Sequence, residues 1–550
     1  MRRLVTGLLA VGLLFVGSPA VAAPPASPVA LVVGLRAATD LAARVDVLDS
    51  TALGGGAVTI DVPADQVSEA AATLRADPAV RYVERDHLAQ AAAVIPDDPG
   101  YRAQWGVPKT RVNQAWSLVR GSGVTVAVVD TGVAALPDFA GRLLPGYDFV
   151  NGDHNAADDN GHGTMAAGVI AAAGDNGTGI AGICWLCRIL PVKVLDSHGG
   201  GSYSTIAEGI RYAADHHADI INLSLGGPDD SQLLRDAVAY AVAEGSLVIA
   251  AAGNAGGQAR HFPAAIPAVL AVGGSAPGDA RYPWSNYGSS WVDVAAPGCN
   301  PAQGRNGVIG SYCGTSSATP FTSGVAALLA SVSPAPGPAA IRAALTTSAV
   351  PLPGNWAGAG RIDAAAALEA LPFWVTGVRS GVSVGDRFAV TPHVGAGITR
   401  VTAALDGVEA DTATRAPWTL DIDTSHVTGQ ATITISAYAG STQRAVATYP
   451  VVADHARPTL SFSSPRPSAL VRGSLAIVAN AADNVAVSRV QLLAGSRVLG
   501  TDLTAPYAFT WHPGPAAGPV TLTLRSYDKA GNVTSSKRTF VVATRREGYR

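Results

Sequence analysis

The sequence predicts an α/β fold: a parallel sheet with helices on both faces, preceded by a small α+β unit and followed by two all-β sandwiches. Three observations carry this. Between about residues 95 and 372, apolar β-rich runs alternate with Ala-rich helical stretches, the pattern of a parallel sheet covered on both faces. Beyond 372 the helical pattern stops, and Val/Thr alternation between Gly/Pro turns takes over. Four landmarks of that tail then recur: Arg400-Val401, Ala416-Pro417-Trp418, Gly429 and Tyr438 return as Arg489-Val490, Ala505-Pro506-Tyr507, Gly518 and Tyr527, each 89 positions on. A constant offset means two copies of one module, each the size of a small sandwich.

The chain opens with Met1-Arg2-Arg3, an apolar run from Leu4 to Val16 and the small-residue stretch Ala20-Val21-Ala22-Ala23. This reads as a signal peptide over 1–23, because the run is shorter than the roughly 20 residues a spanning helix needs. A secreted, extracellular, soluble protein without a C-terminal anchor is expected. A length of 550 residues suggests three or four domains. Charged residues make up 14% and the formal net charge is −3, so electrostatics point to neither nucleic acid nor an anionic membrane as a partner.

Residues 24–94 form an Ala-rich α+β segment. It has strand-like runs from Pro28 to Leu35 and Ala57 to Val62, a helical stretch from Ala64 to Leu74, and the ending Val80-Arg81-Tyr82-Val83-Glu84-Arg85-Asp86-His87. In 95–372, Val124 to Val129, Ile189 to Val194, Ile220 to Leu223 and Leu247 to Ala251 read as buried strands; Gly163 to Ala173, Thr205 to His216, Ser231 to Glu244 and Thr319 to Val332 read as helices. In such sheets reactive groups collect outside the carboxyl ends of the strands. The β tail divides at Asp454 to Pro458 into modules over 373–454 and 455–545. Four cysteines, Cys184, Cys187, Cys299 and Cys313, allow three pairings; an oxidising destination favours disulfides, with local bridges 184–187 and 299–313 expected.

Three sites stand at strand ends or helix starts, in the order Asp, His, Ser. Asp130 follows an apolar run in Asp130-Thr131-Gly132, where a buried carboxylate can hold an imidazole in one tautomer and stabilise its cation. His162, between glycines in Asn160-Gly161-His162-Gly163-Thr164, suits a general base that later acts as acid. Ser316, in Gly314-Thr315-Ser316-Ser317-Ala318-Thr319-Pro320, precedes a long apolar helix whose free N–H groups and dipole favour an oxyanion. Asn254, in Ala252-Gly253-Asn254 after a strand, offers a second oxyanion donor; loss of one such donor typically costs ~100- to 1000-fold in rate.

Each motif alone is weak, since a Ser at a helix start is usually an N-cap. Asp-Thr-Gly is also an aspartic-protease signature, but those enzymes need two aspartates sharing a proton, and the sequence holds no second copy. His-Glu-x-x-His is absent, which argues against a zinc peptidase, and His216-His217 reads as a surface pair. A non-enzymatic binding protein on a dead scaffold would lack one of these residues; none is missing.

Together the motifs resemble the subtilase family, whose chain order is Asp, His, Ser. Gly121 to Gly132, Ile221 to Gly227 and Val294 to Gly298 are similar to its core segments, and Asp98-Pro99, Gln104-Trp105-Gly106 and Asp148-Phe149-Val150 bring the chain closest to the thermitase-like branch. The resemblance covers about 95–372. It implies a subtilisin-like serine endopeptidase using Asp130, His162, Ser316 and Asn254, acting on protein or peptide substrates as a monomer. Two positions depart: Ser317 stands where the family usually has Met, and Met165-Ala166 where it often has His-Val. The nucleophile is assigned to Ser316 because it directly follows Gly-Thr.

The resemblance also implies that 24–94 is an inhibitory propeptide, self-cleaved near Gln90 to Val94. It implies a substrate strand held between Ser224-Leu225-Gly226 and Ala251-Ala252-Gly253. Glycines there leave a wide P1 slot for large apolar side chains, with His261 at its floor. No cofactor is needed for catalysis, but structural calcium is expected at Asp98, Asp138 and Asn176 with the carbonyls of Gly174, Thr178 and Ile180. Asp153 is a candidate for a weaker site. The two β modules resemble bacterial immunoglobulin-like domains, which act as spacers or as binders of cell wall, sugar or protein.

Overall fold

The computed structural model describes residues 29–543 apart from 38, 54–55, 64–65, 86–92, 467–468 and 515. The signal segment 1–23 and the start of the expected cleavage stretch, Gln90 to Ala92, lie outside the described residues. The chain forms two compact units, Met1–Ala91 and Ala92–Arg550.

In the first unit, strands β1 (Val29–Leu35), β2 (Asp49–Leu53), β3 (Ala57–Val62) and β4 (Val80–Arg85) form an antiparallel sheet in the order β2-β3-β1-β4. Helix α1 (Val67–Ala76) turns Val67, Ala70, Ala71 and Leu74 inward, the i, i+3, i+4, i+7 stripe that an amphipathic helix buries, against Leu31, Val33, Ile60 and Val62. Sequence pattern misses β2, an edge strand of mixed polarity paired with β3 alone.

The second unit begins with two one-turn helices, α2 (Gly106–Lys109) and α3 (Val112–Ala115). Its central sheet contains β5 (Thr125–Asp130), β6 (Tyr147–Asp148), β7 (Arg188–Lys193), β8 (Ile220–Leu223), β9 (Leu247–Ala251), β10 (Leu270–Ser275) and β11 (Val294–Pro297). The hairpin of β12 (Cys299–Gln303) and β13 (Ile309–Cys313) stands apart, and β14 (Gly360–Arg361) closes the sheet in the order β14-β11-β10-β9-β8-β5-β7-β6, all pairs parallel. Helices α4 (His162–Ala171), α5 (Tyr203–Asp215), α6 (Gln232–Ala243), α7 (Thr315–Ala330), α8 (Pro338–Thr347) and α9 (Ala364–Ala370) cover it.

Strand side chains alternate between faces, and the two cores sort accordingly. Val126 and Val128 of β5 join the core that contains α4 and α7, whereas Ala127 and Val129 join the one that contains α5 and α6. The strand order doubles back at β5, which has β7 on one side and β8 on the other. That switch point opens a crevice at the carboxyl ends of β5 and β8.

One boundary differs in a way that matters for the site. Helix α7 starts at Thr315, four residues before the expected Thr319, so Ser316 lies inside its first turn. Pro320 cannot donate to the Ser316 carbonyl, and the Ser224 hydroxyl takes its place at 3.0 Å. Helix α5 begins at Tyr203, two residues before the expected Thr205, and α6 at Gln232, one after the expected Ser231, each set by its cap: Ser202 accepts from Thr205 N–H and Ser231 from Leu234 N–H. Both local disulfides, Cys184–Cys187 and Cys299–Cys313, are present.

The tail holds two β sandwiches of one topology. In the first, β15 (Phe373–Thr376), β17 (Arg387–Val394) and β20 (Leu420–Asp423) face a sheet of β16 (Ser383–Val384), β18 (Arg400–Leu405), β19 (Val408–Ala413), β21 (Gly429–Ala439) and β22 (Thr442–Ala453). In the second, β23 (Thr459–Ser464), β25 (Leu475–Ala482) and β28 (Tyr507–Trp511) face β24 (Leu470–Val471), β26 (Val487–Ala494), β27 (Arg497–Asp502), β29 (Gly518–Asp528) and β30 (Val533–Val542). The repeated Arg/Tyr landmarks are cation–π pairs, Arg400 over Tyr438 and Arg489 over Tyr527.

The first sandwich is anchored by Trp374, which stacks on its cross-strand partner His393 at 3.7 Å, while Tyr449 donates to the Ser333 carbonyl at 3.0 Å. Burial lowers the His393 pKa from 6.5 to about 4. A histidine held neutral in the fold binds its proton more readily when unfolded, so its contribution to stability is present above pH 6.5 and is lost as pH falls toward about 4. Thermal unfolding at those two pH values should show a smaller acid-induced drop in Tm for His393→Phe than for the parent; equal drops would remove His393 as a source of acid sensitivity.

Candidate active site

Asp130, the last residue of β5, follows the parity of Val126 and Val128 and so points to the face on which α4 lies. It is fully buried. Its carboxylate accepts from Thr131 N–H at 2.7 Å and meets Nδ1 of His162, the first residue of α4, at 2.8 and 3.0 Å. This fixes the proton on Nδ1 and leaves the Nε2 lone pair outward. Burial pushes the imidazolium pKa down, but the charge and hydrogen bond of Asp130, with a smaller contribution from Asp158, outweigh it and raise the net value.

Asp158, not singled out by sequence reading, ties the start of α4 to the loop after β5. Its carboxylate accepts the N–H groups of Asn160, Gly161 and Thr164 at 2.9, 2.8 and 3.0 Å, together with the hydroxyls of Thr131 and Thr164. A carboxylate at a helix N-terminus is favoured by the dipole; an acid just ahead of the helix was the available signal. Lys193, also unsuspected, pairs with Asp130 across β5 and β7, is 1% exposed, and donates to Thr131 O, Leu195 O and Asp159 Oδ1 at 3.0, 2.7 and 2.7 Å.

Ser316 is half-buried in the first turn of α7, whereas Ser317 is fully buried and its hydroxyl accepts from Asn300 Nδ2 at 2.9 Å. Ser316 and Ser224 exchange bonds: Ser316 Oγ donates to Ser224 O at 3.1 Å as Ser224 Oγ donates to Ser316 O. Asn222 Nδ2 supports Ser224 Oγ at 3.0 Å, and Ser323 Oγ donates to Asn222 Oδ1 at 3.0 Å. The structure pairs His162 Nε2 with Tyr312 Oη, at 3.2 Å, rather than with Ser316. Burial raises the Tyr312 phenol well above its usual pKa, so the hydroxyl keeps its proton and donates. A nucleophile–base bond that tightens only with substrate is common in free enzymes.

Asn254 is oriented by Thr315, whose N–H and hydroxyl both donate to its Oδ1, at 2.8 and 3.0 Å. The amide nitrogen therefore faces the other way. A Cβ built on Gly314, which has φ +127°, would lie 3.2 Å from Asn254 Nδ2 and 3.5 Å from Ser316 N. The missing side chain leaves a space bordered by these two nitrogens and, at 3.6 Å, by Asn254 Oδ1; two N–H donors beside one space suit an oxyanion.

The two expected walls follow β8 and β9. Ser224, Leu225 and Gly226 line a cleft of about 480 Å³ with His162, Tyr203 and the Gly199–Gly201 stretch, the last two missed by sequence reading. Ala251 ends β9 and Ala252 and Gly253 follow it, but none of the three lines that cleft. His261 lies between the walls: a Cβ on Gly226 would come within 2.8 Å of its ring, and one on Gly253 within 3.0 Å. Burial lowers its pKa, so its ring is neutral near neutral pH.

The residues expected to hold calcium do converge. Asp98 and Asp138 are 3% exposed; Asp98 Oδ2 accepts from Asp175 N–H at 2.7 Å, and Asn176 Nδ2 donates to Asp138 Oδ1 at 3.0 Å. Asp138 Oδ2 and Gln303 Oε1 are buried oxygens without a partner, a donor set that fits a hard cation. Asn176 does not turn its oxygen to this set: its Nδ2 faces Asp138, and its Oδ1 accepts from Thr178 N–H and hydroxyl, both at 3.0 Å. Asp153 stands apart from this group: it is exposed, and its Oδ1 accepts from Asn155 N–H.

Residues 121–383 match the profile of the Subtilase family, and 458–534 match that of a Bacterial Ig domain. The chain is 44% identical over 280 residues to Thermitase of Thermoactinomyces vulgaris, an alignment covering 50% of this chain and 99% of that protein. It is 35% identical over 416 residues to an Extracellular protease of Xanthomonas campestris, covering 64% of this chain and 71% of the relative, and 45% identical over 262 residues to a Thermophilic serine proteinase of Bacillus sp. strain AK1, covering 47% and 65%. With 99% of one such protease aligned to this chain and the family profile spanning Asp130, His162 and Ser316, the chain belongs to the subtilase family and is a subtilisin-like serine endopeptidase with a C-terminal immunoglobulin-like region.

Proposed function

We propose that Ser316 is the nucleophile of a secreted, self-processing enzyme, with His162 as base and acid, Asp130 as its orienting carboxylate, and Asn254 Nδ2 with Ser316 N–H as the oxyanion donors. The convergence of those two donors over Gly314, beside a histidine whose Nδ1 is bound to a buried aspartate, carries this reading. Substrate lies between Ser224-Leu225-Gly226 and Ala251-Ala252-Gly253. Ser316 Oγ leaves the Ser224 carbonyl, His162 Nε2 takes its proton, and Oγ bonds to the scissile carbon. The resulting oxyanion faces the donors, the imidazolium returns the proton to the leaving amine, and water reverses the sequence on the acyl-enzyme.

Specificity follows from the P1 slot. The neutral His261 ring between Gly226 and Gly253 gives an apolar floor, so peptides with Phe or Leu at P1 are the preferred substrates. Segment 24–94, most of which falls within the compact unit Met1–Ala91, is the inhibitory propeptide, and the mature enzyme works as a monomer. The β modules serve as spacers or as binders of cell wall, sugar or protein. No helix among the described residues is long and apolar enough to cross a membrane.

Calcium would be held by Asp98, Asp138 and Asn176 with the carbonyls of Gly174, Thr178 and Ile180, where it supplies charge to buried oxygens and no chemistry to the reaction. Saturation about 100-fold above Kd stabilises by ~2.7 kcal/mol, so chelation is expected to lower Tm by several degrees. A Tm of the catalytic domain that is unchanged in chelator and in Asp138→Asn would exclude a tight site there.

Ser316→Ala is expected to lower kcat ~10⁴- to 10⁶-fold, to abolish labelling by a fluorophosphonate and to leave 24–94 attached, whereas Ser317→Ala keeps activity within about tenfold. Labelling that survives Ser316→Ala, or inhibition by pepstatin, would overturn the assignment. Tyr312→Phe releases His162 Nε2 from a hydrogen bond worth ~1 kcal/mol, so kcat/KM should rise up to about fivefold. In the same variant the acid limb of the pH profile should stay above the ordinary imidazole range, because Asp130 still raises it. Unchanged kcat/KM would mean that Tyr312 does not compete for the base.

A further inference from the structure

Three carboxylates meet where the first sandwich passes into the second. Asp454 directly follows β22, Asp483 directly follows β25, and Asp528 ends β29; one oxygen of each lies within 4.8 Å of the others. Asp454 and Asp528 are each 2% exposed. Part of this oxygen set is satisfied locally. Asp454 Oδ1 accepts from Ala456 N–H and Asn484 Nδ2, both at 3.1 Å; Asp483 Oδ2 accepts from the N–H groups of Val485 and Ala486 at 2.9 and 3.0 Å; and Asp528 accepts from Asn532 N–H and Nδ2 at 2.8 and 2.9 Å.

Two oxygens are left over. Asp454 Oδ2 and Asp483 Oδ1 are buried and have no hydrogen-bond partner. Among the described residues no Lys, Arg or His forms an ion pair with any of the three acids. A buried carboxylate oxygen without a donor is costly, and a cation between two of them beside a third acid would offset that cost. The first sandwich, of the same strand order, has Ala439 where the second has Asp528, 89 positions on.

We propose that this cluster is a calcium site at the junction of the two sandwiches, bound through Asp454 Oδ2, Asp483 Oδ1 and an oxygen of Asp528. Oxygen donors select a hard cation, and three protein carboxylates suit Ca²⁺ better than Mg²⁺, which commonly keeps its waters and takes one or two. The ion would fix a contact the chain has already begun. Asn532 Nδ2 donates to the carbonyls of Asp454 and Ala456 at 2.8 and 3.1 Å, and a Cβ built on Gly385 would lie 3.2 Å from the Ala530 carbonyl oxygen. Calcium thereby converts a five-residue linker between β22 and β23 into a rigid joint that sets how the last module is presented.

The test is calcium binding by the full chain carrying Ser316→Ala, stripped with chelator and dialysed against ⁴⁵Ca²⁺, together with amide hydrogen exchange in peptides spanning 454–458 and 528–533. Asp483→Asn and Asp454→Asn should each bind one calcium fewer than the parent, and Asp98→Asn should keep this site, which separates it from the one in the catalytic domain. Calcium should slow exchange in both peptides at least tenfold in the parent and in Asp98→Asn, and equimolar magnesium should not. An unchanged calcium count in Asp483→Asn, or parent exchange that is the same in calcium and in chelator, would overturn the proposal. Should the Asn variants fail to fold by circular dichroism, the exchange result in the parent decides.

Discussion

Asp130 is fully buried at the carboxyl end of β5, and its charge has to be met from within the protein. A buried carboxylate left without partners costs several kcal/mol, so the loop after β5 and the first residue of α4 must come to it. Thr131 N–H and His162 Nδ1 do so. The same demand propagates outward: Thr131 Oγ1 donates to Asp158, Asp158 gathers the free N–H groups at the start of α4, and Lys193 draws in the carbonyls of Thr131 and Leu195. Asp130 cannot move without costing these groups their partners.

The other half of the site depends on a proline. Because Pro320 leaves the Ser316 carbonyl without its helical donor, Ser224 reaches across from the end of β8, and this places Ser224 and Ser316 in mutual contact. Thr315 then turns Asn254 so that its amide nitrogen faces the gap over Gly314. The start of α7, the end of β8 and Asn254 are therefore one hydrogen-bonded assembly, and it is Tyr312 that meets His162 Nε2 in this conformation.

The tail follows a different logic. Two sandwiches of one topology are built on alternation and paired landmarks, but their polar exceptions differ: the first buries His393 against Trp374, and the second gathers acids at the joint. Neither exception serves the periodic pattern that makes the module fold. Each marks a place where one domain is fastened to the next.

Much of this was legible in the residues. Alternation of apolar strands with helical stretches gives the parallel sheet, the 89-residue offset gives the two modules, and strand-end or helix-start placement brings Asp130, His162, Ser316 and Asn254 to notice, because these signals are local and periodic. Asp158 was legible only as an acid ahead of a helix, and Lys193, Tyr312 and the Asp454 cluster were not legible. Their significance lies in contacts between segments tens of residues apart, as in Asp158 to Thr131 or Asp454 to Asp528, and no local spacing encodes them. The sequence by itself determined which residue types stand at the ends of which elements. Only the tertiary structure decided which way Asn254 faces, which hydroxyl meets His162 and where α7 begins, since each is set by satisfying buried polar groups, a condition that exists only once distant segments share one interior.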